Sequence, residues 1–198
     1  MTIQLHGAAG TTCTNRVFLV AKELNIPVVL VPVDFATAEH KSEAYLEHQP
    51  FGQVPYIVDN ANVQQYGGNS GLIPKDPKKL AKFEQAASIE VTDFDPHAGA
   101  IMEKVFKAFR GLPADETIVA KHAELLIDKL DAYERILKTS KWLAGGDLTL
   151  ADLLHLPYGD YLTKGGYGGL LEDEEKRPHV AKKSPISRPT WQAVQNGA

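Results

Sequence analysis

The chain has 198 residues, with 21 Lys and Arg against 25 Asp and Glu, a net charge of −4, 43% hydrophobic residues and one cysteine. A chain of this length makes one domain or two small ones around a core that needs neither disulfide nor metal. The acidic balance, with no long Lys/Arg run, excludes a nucleic-acid partner, and no stretch reaches the roughly 18 apolar residues that cross a bilayer.

Cys13 alone forms no internal disulfide and builds no thiolate zinc site. Residues 1–10 lack the basic start and apolar run of a signal peptide, so the expected compartment is the cytosol. The text then alternates between strand and helix. Ile3 and Leu5 begin a strand, and Gly7-Ala8-Ala9-Gly10 turns the chain. A helix follows from Thr11 or Thr12, either hydroxyl being able to cap it, with Val17, Val20, Ala21 and Leu24 on one face. It stops near Asn25, before Pro27. Val28 to Val33 reads as a buried strand parallel to the first, completing a βαβ unit. Gln53 to Asp59 reads as a third strand, entered through Gly52.

Asn60 to Gly71 is polar and glycine-rich and marks a boundary; Pro74-Lys75-Asp76-Pro77 then starts a helix. The expected division is an α/β domain over residues 1–66 and an all-α domain over residues 76–198. In the second, Leu80, Phe83 and Ala87 share a face, and Leu126, Leu130, Tyr133 and Leu137 follow helical spacing after a start at Asp115 or Thr117. Thr149-Leu150-Ala151-Asp152 reads as a capping box, a folding element rather than a catalytic carboxylate. Glu172 to Lys176 reads as a solvated charge run, and Gly165 to Gly169 as a flexible turn, lacking the Lys and setting of a phosphate cradle.

The seven histidines are dispersed and none makes a helical pair with a carboxylate or thiol at ligand spacing, so no metal is expected. The informative stretch is Gly10-Thr11-Thr12-Cys13-Thr14-Asn15-Arg16, hydroxyls and a thiol at a helix start. Free N–H groups and the positive end of the helix dipole lower a thiol pKa there, in Cys13 or in a ligand. A plain cap with a buried cysteine fits the spacing equally well. Glu39-His40-Lys41-Ser42 by itself reads as a solvated loop. Gln53-Val54-Pro55 reads as a bend, with a candidate cis bond that would offer the Val54 N–H and C=O to a peptide-like ligand.

Together, Gln49-Pro50-Phe51-Gly52-Gln53-Val54-Pro55, Phe94-Asp95-Pro96, Gly145 to Asp152 and Arg188-Pro189-Thr190-Trp191 resemble a glutathione transferase, most similar to the phi class of plants and fungi. The resemblance implies a thioredoxin-like N-terminal domain that binds glutathione and an all-helical domain that supplies much of the pocket for small hydrophobic electrophiles. It implies a detoxifying conjugation, a homodimer, and glutathione as co-substrate with no metal. The family's catalytic serine falls at Thr11, with Thr12 beside it; Thr offers the same donor on a stiffer side chain. His40 and Lys41 would hold the glycyl carboxylate, Val54 would pair with the cysteinyl unit, Gln53 would line the site, and Pro55 would be cis.

One departure stands out. After the third strand the family continues with a strand and a Glu-Ser pair opening a helix, which grips the γ-glutamyl end; here Asp59 to Tyr66 passes straight to the glycine-rich segment. Loss of such a charge-assisted anchor costs about 1.5–3 kcal/mol. Two other readings therefore stand beside conjugation: a non-catalytic relative that binds ligands or partners, and a thiol-transferase with Cys13 as the nucleophile.

Overall fold

A computed structural model describes residues 2–58, 70–182 and 189–195, except the side chain of Phe109. The elements begin with β1 (Ile3–Gly7), α1 (Thr12–Glu23), β2 (Val28–Pro32), α2 (Glu43–Leu46) and β3 (Tyr56–Val58). Helices α3 (Pro77–Ile89), α4 (Asp95–Phe109), α5 (Glu116–Thr139), α6 (Leu150–Leu154), α7 (Leu156–Leu162), α8 (Pro178–Lys182) and α9 (Pro189–Gln195) follow. Two compact units result: residues 1–70 with 188–198, and residues 71–187.

In the first unit the strand order is β2-β1-β3. β1 runs parallel to β2, with Ile3 opposite Val28, and antiparallel to β3, with Leu5 opposite Ile57. The βαβ unit and the further strand are therefore present. β2, expected to be buried, is instead an edge strand: its residues are half-buried or exposed, Val29 at 52%. An edge strand has a neighbour on one side only, so apolar, β-branched text does not by itself mean burial. The third strand is shorter than Gln53 to Asp59, because Gln53 to Pro55 make the bend that leads into it; Asp59 and most of the glycine-rich segment lie outside the described residues.

α1 buries Thr12, Thr14, Phe18, Leu19 and Ala21, a face turned from the expected Val17, Val20 and Leu24, which are half-buried. Thr14 is drawn inward beneath β1, and α9 packs along α1. The last helix thus groups with the first unit rather than with the all-helical one. Its Trp191 and Val194 are buried, and the Thr190 hydroxyl hydrogen-bonds the Glu23 carboxylate.

The second unit is helical. Asp76 caps α3, accepting from Lys78 N at 3.1 Å and Lys79 N at 3.0 Å, with Pro77 in the first turn; Asp115 caps α5 through Thr117 N and Ile118 N. Leu126, Leu130, Tyr133 and Leu137 line the core with Phe94, Ile101 and Met102, while Phe83 and Ala86 of α3 pack with Ala144 and Ala151. The glycine stretch 165–169 is no plain turn. It is wound into the helical turns that follow α7, and a side chain at Gly165 would meet Val105 at 3.0 Å.

The capping box at Thr149 is formed in both directions. Asp152 Oδ2 accepts from Thr149 N and Thr149 Oγ1, both at 2.9 Å, and Oδ1 accepts from Leu143 N at 2.9 Å. Burial pushes the carboxyl above its ordinary range and these donors pull it back. Asp152→Ala strands all three donors, so urea unfolding is expected to show a loss of about 2–4 kcal/mol. Unchanged stability would remove the box from the folding account.

Candidate functional site

Thr11 occupies the N-cap of α1 with extended backbone, yet its hydroxyl makes no cap bond. Its Oγ1 lies 2.9 Å from Ala8 O and 2.7 Å from Thr14 Oγ1. The helix start thus keeps its first-turn N–H groups unserved by any side-chain cap and carries no acidic residue in that turn. Such an end presents partial positive charge and stabilises an anion placed before it. Thr12 is buried, its hydroxyl donating to Cys13 Sγ at 4.0 Å, while Cys13 is exposed. Cys13 is therefore not the buried filler of a plain cap, and it does not share Thr11's contacts.

Gly7, at the end of β1, sets the spacing of this corner. A Cβ there would lie 2.6 Å from Thr14 Oγ1 and 3.2 Å from Pro55 Cβ. The Val54-Pro55 bond is cis, as expected. Among the described residues no hydrogen bond engages the backbone N–H or C=O of Val54. Gln53 is exposed, and its carbonyl accepts from the buried Tyr45 hydroxyl at 2.8 Å.

His40 and Lys41 lie on a short 3-10 turn. Lys41 Nζ donates to Gly52 O at 2.8 Å and Phe51 O at 3.2 Å, leaving one of its three donors. Gly52 adopts φ +59°, and a Cβ there would lie 2.8 Å from His40 O and 2.9 Å from the Lys41 side chain, so the two loops meet only because this residue has none. Gln49 Oε1 accepts from Phe51 N at 2.8 Å and Gln53 N at 3.3 Å. The His40 ring packs edge-on against Phe35, and its Nδ1 is buried without a hydrogen-bond partner.

The structure thus joins Thr11 to Pro55 through Thr14 and Gly7, and His40 and Lys41 to Gln53 through Gly52. Sequence reasoning missed the supports. Tyr45, edge-on to Tyr56 at 5.0 Å, and the rings stacked with Tyr56, His6 at 4.4 Å and His48 at 5.2 Å, carry no motif. Burial raises the Tyr45 and Tyr56 pKa values and, with His48, lowers that of His6, so Tyr45, Tyr56 and His6 are held toward their neutral forms. Only Gln49 had a signal, its place in the Gln-Pro-Phe-Gly run.

Residues 1–67 match the family model "Glutathione S-transferase, N-terminal domain" and residues 96–182 the model "Glutathione S-transferase, C-terminal domain". Glutathione S-transferase PM239X14 of Arabidopsis thaliana is 45% identical over 199 residues, covering 91% of this chain and 88% of the relative. The matched stretch is longer than the part of this chain that it covers, so positions of the relative stand opposite gaps here. Glutathione transferase F7 from Populus trichocarpa superposes with a TM-score of 0.90 at 32% identity, covering 98% of each chain. Glutathione S-transferase I from Mais, solved with an atrazine glutathione conjugate, does so at 0.86 and 28%, covering 98% of this chain and 96% of that one. A βαβ unit with a cis-proline bend, a helical second unit and these likenesses together place the chain in the glutathione S-transferase family.

Proposed function

We propose that this chain is a phi-class glutathione S-transferase that conjugates the thiolate of glutathione to small hydrophobic electrophiles. The observation that carries the reading is the uncapped start of α1, with the Thr11 hydroxyl at its mouth and, on the adjoining bend, a Val54 backbone that no hydrogen bond engages among the described residues. The residues fit the tripeptide. The Val54 N–H and C=O pair with its cysteinyl unit, and Gln53 lines the site. The half-buried His40 ring and the remaining Lys41 donor take its glycyl carboxylate. Thr12 shapes the helix start from within, buried beside Thr11.

Thr11 turns its hydroxyl proton toward the sulfur, and with the helix dipole it favours thiolate over thiol. The thiolate attacks an electrophilic carbon; a carbon–sulfur bond forms, and the leaving group departs with the bonding pair or, in an addition, the adduct takes up a proton. The conjugate held by the Mais enzyme supports this substrate class. Phe51, 79% exposed on the loop, supports the homodimer. The cytosol remains the compartment to which the lone cysteine points.

A second reading, ligand binding without turnover, has its own observation: the Thr11 hydroxyl is already engaged with Ala8 O and Thr14 Oγ1. Two substitutions separate the readings. Thr11→Ala removes a hydrogen bond to a charged sulfur, worth about 1.5–3 kcal/mol, and is expected to lower kcat/KM toward an activated aryl halide by roughly 10- to 150-fold. Thr11→Ser retains most of the rate, and Cys13→Ala leaves it unchanged if Cys13 is not the nucleophile. Equal rates in wild type and Thr11→Ala would end the thiolate role.

Gly52→Ala forces the His40 and Lys41 loop away from the bend. Calorimetric titration is expected to show glutathione affinity reduced by about tenfold or more, with a stability loss of about 1–3 kcal/mol. An unaltered affinity would separate those loops from the binding site.

A further inference from the structure

We propose that His97 and His122 form a chelating site for a divalent transition-metal ion on the second unit, apart from the glutathione-binding loops in the sequence. The two residues are 25 positions apart, on α4 and α5, so no spacing rule shows the pair. The fold brings their Nδ1 atoms to 3.1 Å. Both rings are half-buried, with centroids 5.3 Å apart and planes inclined by 49°.

That separation suits chelation. Bonds of about 2.0–2.1 Å to both nitrogens would subtend about 95–100° at the metal, between the octahedral and tetrahedral angles. The ion sits off the line joining the nitrogens, so each ring turns by roughly 40° about a torsion whose energy profile is broad. In the free pair one ring donates its Nδ1 proton to the other. On binding, that ring carries its proton on Nε2 instead, and both Nδ1 lone pairs face the ion with no net proton released.

The surroundings keep the His97 ring in the form that ligates. Burial, then His122 and Lys129, hold His97 below the ordinary imidazole value, against the opposing pull of Asp93, so it is neutral at pH 7. The nearby cation is itself paired, Lys129 Nζ to Asp93 Oδ1 at 2.7 Å. Two imidazoles with water completing the shell favour Zn2+, Ni2+ or Cu2+ over Mg2+ or Ca2+. Among the described residues no third His, Cys, Asp or Glu joins a metal-holding group, so this is an exchangeable site rather than a closed structural one. It ties the first turn of α4 to α5, the two longest helices of this unit.

The test is a Zn2+ titration of the full chain in competition with a chromogenic chelator, repeated for His97→Gln, His122→Gln and the control His48→Gln. One equivalent is expected in the wild type and the control. Each pair variant should weaken it by at least the roughly 10–100-fold that loss of a mere outer-shell partner costs. Equal affinity in either pair variant, or no binding at roughly 100 µM Zn2+, overturns the proposal. If a variant fails to fold, the wild type with one equivalent of Cu2+ still decides. Its electron paramagnetic resonance spectrum is expected to show coupling to two imidazole nitrogens, and fewer than two refutes the site.

Discussion

The candidate site depends on an absence of atoms at Gly7. Because β1 ends without a side chain there, Thr14 of α1 and Pro55 of the bend both reach the same small volume, at 2.6 and 3.2 Å from where a Cβ would stand. Thr14 is fully buried in consequence, and its hydroxyl becomes the partner of Thr11. Strand end, helix start and cis bend are thereby brought together by packing. A side chain at Gly7 would force Thr14 out, rotate the face that α1 buries and open the gap between Thr11 and Val54.

The second loop cluster works by the same means. Gly52 permits the approach of the His40 backbone, Lys41 binds the Phe51 and Gly52 carbonyls, Gln49 pins the Phe51 and Gln53 amides, and Tyr45 holds the Gln53 carbonyl. Most of these bonds end on backbone groups, so they fix the path of the loop and leave the outward side chains free to vary. Lys41 differs in that two of its three ammonium donors serve the loop and the third is left over.

What could be read from the sequence follows from what is local. Helix faces and caps depend on residues within a few positions, and Leu126 to Leu137, Asp76 and the Thr149–Asp152 box were legible for that reason. The cis bend at Val54-Pro55 was legible through a dense motif, Gln49 to Pro55, though the motif gave no account of Tyr45, which acts from outside it. The exposure of β2, the rotation of α1 and the return of α9 to the first unit were not legible, because each is set by which distant segments do or do not pack beside it. The His97–His122 pair is the same case: two unremarkable residues whose relation exists only after α4 and α5 pack.

The two units also treat buried polar groups differently, and the difference separates folding from function. In the second unit Asp152 accepts three hydrogen bonds, and Glu134 accepts from His179 N, Val180 N and the His179 ring. The Arg177 guanidinium lacks a partner only at Nε, its other nitrogens reaching Asp131 and the Leu170 carbonyl. These groups are consumed by the fold. In the first unit Trp191 Nε1 and His40 Nδ1 are buried without a partner, no hydrogen bond engages the Val54 backbone among the described residues, and no side chain caps the start of α1. Each such group costs free energy when left unmet in a dry setting, on the order of 1–3 kcal/mol. On the proposed function, the Val54 backbone and the start of α1 are the groups that a peptide ligand with an anionic sulfur would complete, whereas a buried nitrogen such as His40 Nδ1 stays a cost of packing.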